Sequence, residues 1–193
     1  MSKKPSGSSS KKAIPLPAPP TRLKVLSMGN GGSGKSCLIK RFCEERFVQK
    51  YIATIGVDYG VKPVKVDGLD VRVNFWDLSG HPEFLEIRNE FYKDAQAIIL
   101  VFDVSARDSF ENLDFWLTEA TKYGANIRDT PVCVCANKID KKRVISQDEG
   151  SDYARTRNLQ YFETSASTGD NVNEMFNYLF DAAVKKISTS TGI

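Results

Sequence analysis

The chain has 193 residues, 41% of them hydrophobic, and a formal net charge of +3, a size that suits one domain burying roughly 70% of its unfolded surface. The basic excess sits in the first 22 residues, where Lys3, Lys4, Lys11, Lys12 and Arg22 meet no acid; the remainder is net negative, which excludes a basic nucleic-acid-binding fold. The longest apolar run, 97–102, is far too short to span a membrane, and Cys37, Cys43, Cys133 and Cys135 lack metal-ligand spacing with the lone His81, so a reducing, cytoplasmic setting is expected.

In chain order, the Ser/Gly run at 6–10 and Pro15, Pro17, Pro19 and Pro20 predict a disordered basic arm over 1–21, with weak affinity at most for an anionic surface. An apolar strand near 22–28 leads into Gly29-Asn30-Gly31-Gly32-Ser33-Gly34-Lys35-Ser36, which fits G-x-x-x-x-G-K-[ST], and a helix over 35–45 follows with Cys37 in its first turn. Strands at 57–66 and 71–77 flank Asp67-Gly68, a hairpin signal, so one antiparallel edge strand is expected. The second of these strands ends in Asp77-Leu78-Ser79-Gly80, followed by a helix over 82–92. Next come a strand at 96–104, a helix at 108–122 opened by an Asp108/Glu111 capping box, and a strand at 131–136 leading to Asn137-Lys138-Ile139-Asp140. A helix at 147–157, a strand at 160–163 ending in Glu163-Thr164-Ser165-Ala166-Ser167, and a helix at 171–187 complete the series. Strands alternating with helices make this an α/β fold: a doubly wound, six-stranded, mostly parallel sheet with ligand loops at the strand C-termini.

The glycine loop is built for phosphate. Its N–H groups converge on the anion and the following helix presents its positive end, while Lys35 reaches the β- and γ-phosphates and the Ser36 hydroxyl ligates Mg²⁺. Kinases, motor proteins and GTPases share such a loop. The Asp140 carboxylate separates them, because it can accept from guanine N1–H and the 2-amino group, which adenine cannot match. Asn137 is expected to brace the loop, the Lys138 stem to lie along the base, and the Ala166 N–H, within Ser165-Ala166-Ser167, to meet guanine O6. A P-loop kinase using ATP is thereby disfavoured.

Together these motifs resemble those of Ras-superfamily small GTPases over about 22–186, and Thr54-Ile55-Gly56-Val57-Asp58, Trp76-Asp77 and Asp108-Ser109-Phe110-Glu111-Asn112-Leu113 are similar to the Rab branch. Gly80-His81-Pro82-Glu83-Phe84 with Arg88-Asn89-Glu90-Phe91-Tyr92-Lys93-Asp94 is similar to the RJL group, some of whose members carry an appended J domain, although none is expected here. The resemblance implies a P-loop NTPase G domain over 22–187 with a short flexible tail at 188–193, a monomeric switch binding GTP or GDP with Mg²⁺. It implies that Thr54 ligates Mg²⁺ and touches the γ-phosphate, that Asp77 holds Mg²⁺ through water, and that the Gly80 N–H senses the γ-phosphate. Phe47 matches a residue packed on the guanine edge, a plain core aromatic being the alternative. Tyr59, Trp76 and Phe91 match an effector-binding aromatic trio, unless they only pack inward.

Catalysis would then rest on Lys35, Thr54, Gly80 and His81, with His81 standing where most Ras-like proteins have glutamine, so slow hydrolysis is expected, or a GTP-binding scaffold with almost none. Exchange factors and GTPase-activating proteins are the implied partners besides effectors. No cysteine lies near residue 193 and Ser2 follows Met1, so neither a prenyl nor a myristoyl anchor is expected. Recruitment to flagellar or nuclear structures is suggested by the resemblance alone.

Overall fold

The computed structural model describes residues 20–191. Six strands, β1 (Thr21–Met28), β2 (Val57–Val66), β3 (Leu69–Leu78), β4 (Ala97–Asp103), β5 (Val132–Asn137) and β6 (Gln160–Thr164), form one sheet in the order β2-β3-β1-β4-β5-β6. Every pairing is parallel except β2 with β3, joined at Asp67-Gly68, where both residues take positive φ, 48° and 81°. That is the backbone a tight right-twisted hairpin demands.

β4 and β5 are buried along their whole length because helices cover both faces of the sheet, which explains why they read as unbroken apolar runs. Successive residues feed opposite cores. Val25, Ile99, Val101, Cys133 and Cys135 face α1 (Lys35–Glu44) and α6 (Val172–Thr191). Leu26, Ile98, Leu100, Val134 and Ala136 belong to the other core, with Leu113, Trp116 and Ala120 of α4 (Leu113–Lys122) and Ala154 of α5 (Gln147–Thr156). Cys133 and Cys135 therefore serve as small apolar side chains on one face, and burial pushes both thiols well above their ordinary range.

Several boundaries differ from expectation. The helix expected over 82–92 is two 3₁₀ turns, Pro82–Phe84 and Asn89–Phe91, around a single α-turn, α2 (Leu85–Arg88). The helix expected over 108–122 divides into α3 (Arg107–Glu111) and α4 at Asn112, whose ψ of 2° leaves the helical region. No Asp108 capping box forms, because α3 starts one residue earlier and Asp108 falls inside its first turn. Instead the Ser109 hydroxyl donates to Ala106 O at 2.7 Å and accepts the Asp103 N–H at 2.9 Å. A cap does form at Ser146, whose Oγ accepts the Glu149 N–H at 3.1 Å. α6 runs to Thr191, so helix occupies most of the segment expected to be a flexible tail from 188. The basic arm up to Pro19 and the last two residues lie outside the described residues.

Candidate nucleotide site

Four loops at the strand C-termini, together with the segment 47–54 before β2, enclose a cavity of about 380 Å³. The first follows β1. Gly34 takes φ +98°, and a Cβ there would lie 2.2 Å from Asn137 Nδ2, so only glycine lets the loop pass. α1 begins directly after it with no side-chain cap, which leaves its first N–H groups for a ligand. Lys35 is buried, and its Nζ donates to Gly29 O at 2.8 Å and Asn30 O at 3.0 Å. Burial lowers its pKa to about 8, with Asp77 pulling the other way. The Ser33 hydroxyl is buried without a hydrogen-bond partner. Gly31, Gly32, Ser36 and Cys37 line the cavity, whereas the Asn30 side chain turns away and its Oδ1 accepts the Trp116 Nε1–H at 2.8 Å.

Three oxygens gather beside this loop. Ser36 Oγ lies 3.0 Å from Thr54 Oγ1 and donates to Asp77 Oδ2, which Thr54 Oγ1 also approaches at 3.5 Å. Asp77 is 4% exposed; burial raises its pKa, Lys35 opposes that rise, and its Oδ1 has no hydrogen-bond partner. Two hydroxyls and a carboxylate are the hard oxygen donors that suit Mg²⁺. Among the described residues no cluster of three His, Cys, Asp or Glu side chains could hold a metal instead. Three such donors would leave the other positions of an octahedral Mg²⁺ shell to ligands from outside the chain.

At the opposite end stand the residues that follow β5 and β6. Asn137 is fully buried and braces the glycine loop through Nδ2 to Ser33 O at 2.9 Å. Lys138, at φ 67°, donates to Gly32 O at 2.5 Å and pairs with Asp103 at 2.6 Å, so its stem bridges the two loops. The exposed Asp140 carboxylate accepts the Ser165 Oγ–H at 2.6 Å, which fixes its orientation and leaves acceptor capacity for a ligand. Ala166 and Ser167 line the cavity, but the Ala166 N–H, expected to be free for O6, donates to Asn137 Oδ1 at 3.2 Å. Phe47 forms part of the wall and is 36% exposed, which excludes the plain core aromatic. Arg41 of α1, absent from the sequence reading, ties this loop down from behind with bonds to Ala166 O at 2.8 Å and Ser167 O at 2.6 Å.

The segment after β3 closes the site. A Cβ on Gly80 would meet Gly31 N at 2.1 Å, so this loop lies directly on the glycine loop. His81 is extended, at φ −90° and ψ 136°, as a residue before proline should be. Its Nε2 lies 3.0 Å from Tyr51 Oη, and its ring rests on Gly31. Tyr59, Trp76 and Phe91 do form one cluster, with ring centroids 4.6 and 4.9 Å apart. Tyr59 is exposed, while the other two pack partly inward.

The sequence model of the Ras family matches residues 24–185. The chain belongs to the Ras family. Among curated relatives, "DnaJ homolog subfamily C member 27" of Danio rerio is 52% identical over 166 residues, 83% of this chain and 61% of that protein. The Homo sapiens protein of that name is 51% identical over 168 residues, 84% of this chain and 62% of its own length. "DnaJ homolog subfamily C member 27-B" of Xenopus laevis is 49% identical over 173 residues, 86% and 63% of the respective chains. The chain thus spans about three fifths of these relatives. Membership makes it a GTP-binding switch domain by family, and no helix among the described residues is long and apolar enough to cross a membrane.

Proposed function

We propose that this protein is a Rab-like switch of the RJL type, which binds GTP or GDP with Mg²⁺ and hydrolyses GTP slowly. The observation that carries this reading is the convergence on one cavity of a phosphate loop with Lys35, the Ser36 and Thr54 hydroxyls backed by Asp77, and the Asp140 carboxylate. The relatives' DnaJ names fit a group in which some members carry a J domain. Lys35 and the α1 N-terminus would neutralise the phosphates. Ser36 and Thr54 would ligate Mg²⁺, with Asp77 orienting its water. A bound Mg²⁺ would supply charge neutralisation at the phosphates. Asp140 would select guanine. Effectors would meet the Tyr59, Trp76 and Phe91 surface, and an exchange factor or activating protein would set the nucleotide state of a cytoplasmic monomer.

Hydrolysis needs a water held in line, and His81 is poorly suited to hold it. Neutral imidazole has its donor and acceptor on opposite sides of the ring, whereas glutamine offers both on adjacent atoms. The contact between Nε2 and Tyr51 Oη also favours the second reading, a GTP-loaded scaffold with negligible turnover. Single-turnover hydrolysis of loaded GTP separates these readings. Turnover at or below about 10⁻⁴ s⁻¹ is expected, against a Ras-like reference of roughly 3–5 × 10⁻⁴ s⁻¹, and His81→Gln should raise it. Wild-type turnover above the reference rejects the slow enzyme, and a variant no faster than wild type clears His81. Competition of GTP, GDP and ATP for the protein, with and without Mg²⁺, tests the binding itself; preference for ATP would overturn it.

A further inference from the structure

Arg88 is 2% exposed, although it belongs to a four-residue helical turn next to the nucleotide cavity. Its guanidinium pairs with Glu119 of α4 through two parallel bonds, Nε to Oε1 at 2.7 Å and Nη2 to Oε2 at 2.8 Å. Tyr92 donates to the same carboxylate at 2.6 Å, and the Trp116 ring lies 4.7 Å from the guanidinium carbon. One nitrogen faces the other way. Nη1 donates to His81 O at 2.6 Å and approaches Ser79 O at 3.4 Å, the two carbonyls that flank Gly80.

We propose that Arg88 is a positioning residue that aims the Gly80 N–H at the terminal phosphate of a bound triphosphate, and so sets the preference for triphosphate over diphosphate. The inference rests on the guanine-nucleotide reading above. A trans peptide sets its N–H opposite its C=O. Drawing the Ser79 carbonyl toward Arg88 therefore turns the Gly80 N–H away from α4 and toward the cavity, whose wall includes Gly80. The His81 carbonyl, held more tightly, anchors the chain one residue beyond Gly80 and narrows the freedom of the loop.

Arg88 can hold both carbonyls only because it is itself held. Glu119 satisfies one edge of the guanidinium and Trp116 covers its face, leaving Nη1 for the loop. Trp116 in turn donates to Asn30, the second residue of the glycine loop, so one connected set of hydrogen bonds and a ring contact joins both loops that would contact the phosphates. Lysine would carry the same charge but has no planar fork, so it cannot pair with Glu119 through two bonds and also hold the loop.

The test compares binding of GDP and of the β,γ-imido analogue of GTP, both with Mg²⁺, to wild type, Arg88→Lys, and the double variant Arg88→Met with Glu119→Met. The double variant leaves no buried charge unpaired. The lysine variant serves where the double variant does not fold, as judged by its thermal transition. In either variant the analogue should bind about tenfold more weakly relative to GDP, the scale of one charge-assisted contact, with GDP affinity within about twofold of wild type. A merely structural role would weaken both ligands alike or neither, so an analogue-to-GDP ratio within about twofold of wild type overturns the assignment. Wild type that binds neither ligand overturns the functional reading, and this inference with it.

Discussion

At the scale of single residues, the site rests on a few side chains whose chemistry has no substitute. Asp140 is held by Ser165 but keeps acceptor capacity, so Asp140→Asn exchanges an all-acceptor edge for a mixed donor and acceptor. GTP affinity should then fall by about tenfold or more, with xanthine nucleotides gaining; a titration showing GTP binding unchanged removes Asp140 from base recognition. Lys35 yields a prediction in pH. Its folded value is lowered to about 8 by burial, from the usual 10.5, so between those values the unfolded chain binds more protons and the stability of the ligand-free protein rises with pH. A phosphate ligand favours the ammonium form. Nucleotide binding should therefore take up protons increasingly as pH rises through about 8, and lose affinity above it. Calorimetry at pH 8.5 in two buffers of different ionisation heat measures that uptake, and Lys35→Met should abolish it. Equal heats in both buffers for wild type would dismiss the linkage.

At the scale of elements, α1 is the strut of the site, because it carries Lys35 and Ser36 at its start and Arg41 near its end. Arg41 bonds the carbonyls of Ala166 and Ser167, so one rigid helix fixes the spacing between the glycine loop and the loop after β6. Arg41→Ala should speed release of a fluorescent GDP analogue by about tenfold, the cost of losing charge-assisted bonds, while a rate equal to wild type would limit Arg41 to a packing role. The strands and the loops at their ends were legible in the sequence because β4 and β5 are unbroken apolar runs and the residues after them are chemically distinctive. The segment after β3 was not. Leu85 to Arg88 has helix-compatible composition, and Pro82 at the first helical position suits a helix start, so nothing in the spacing marked the division into single turns around Arg88, whose side chain enters the interior to meet Glu119. Glu119 did leave a trace, since it lies three residues after Trp116 on the stripe with Leu113 and Ala120, a charge on the buried face that needs a partner. Its partner is distant in sequence, and periodicity carries no information about pairing across elements. Arg41 left no such trace, because an arginine on a partly exposed helix reads as solvated.

At the scale of the whole molecule, the cavity is walled by loops from both halves of the sheet, and beside it lie the buried Ser33 Oγ and Asp77 Oδ1, which have no hydrogen-bond partner, and Lys35, whose desolvated charge is met by two backbone carbonyls. Burying such groups without partners opposes folding. A ligand that supplies phosphate oxygens and Mg²⁺ would satisfy such groups and pair with the Lys35 charge, so the folded state should be strongly coupled to nucleotide. A ligand at 1,000 times its dissociation constant, binding only the native state, adds about 4.1 kcal/mol. For a domain of this size each kcal/mol moves the midpoint by about 2–4 °C. Saturating GDP with Mg²⁺ should therefore raise the thermal midpoint by roughly 8–16 °C. Ser36→Asn should forfeit most of that rise with the triphosphate and less with the diphosphate, because it removes a hydroxyl from the metal set. ATP at the same concentration should produce almost no shift, since adenine gives Asp140 nothing to accept. Differential scanning calorimetry reads all three. Equal stabilisation by ATP and GTP would mean that the fold responds to phosphate alone and that the base end of the cavity selects nothing.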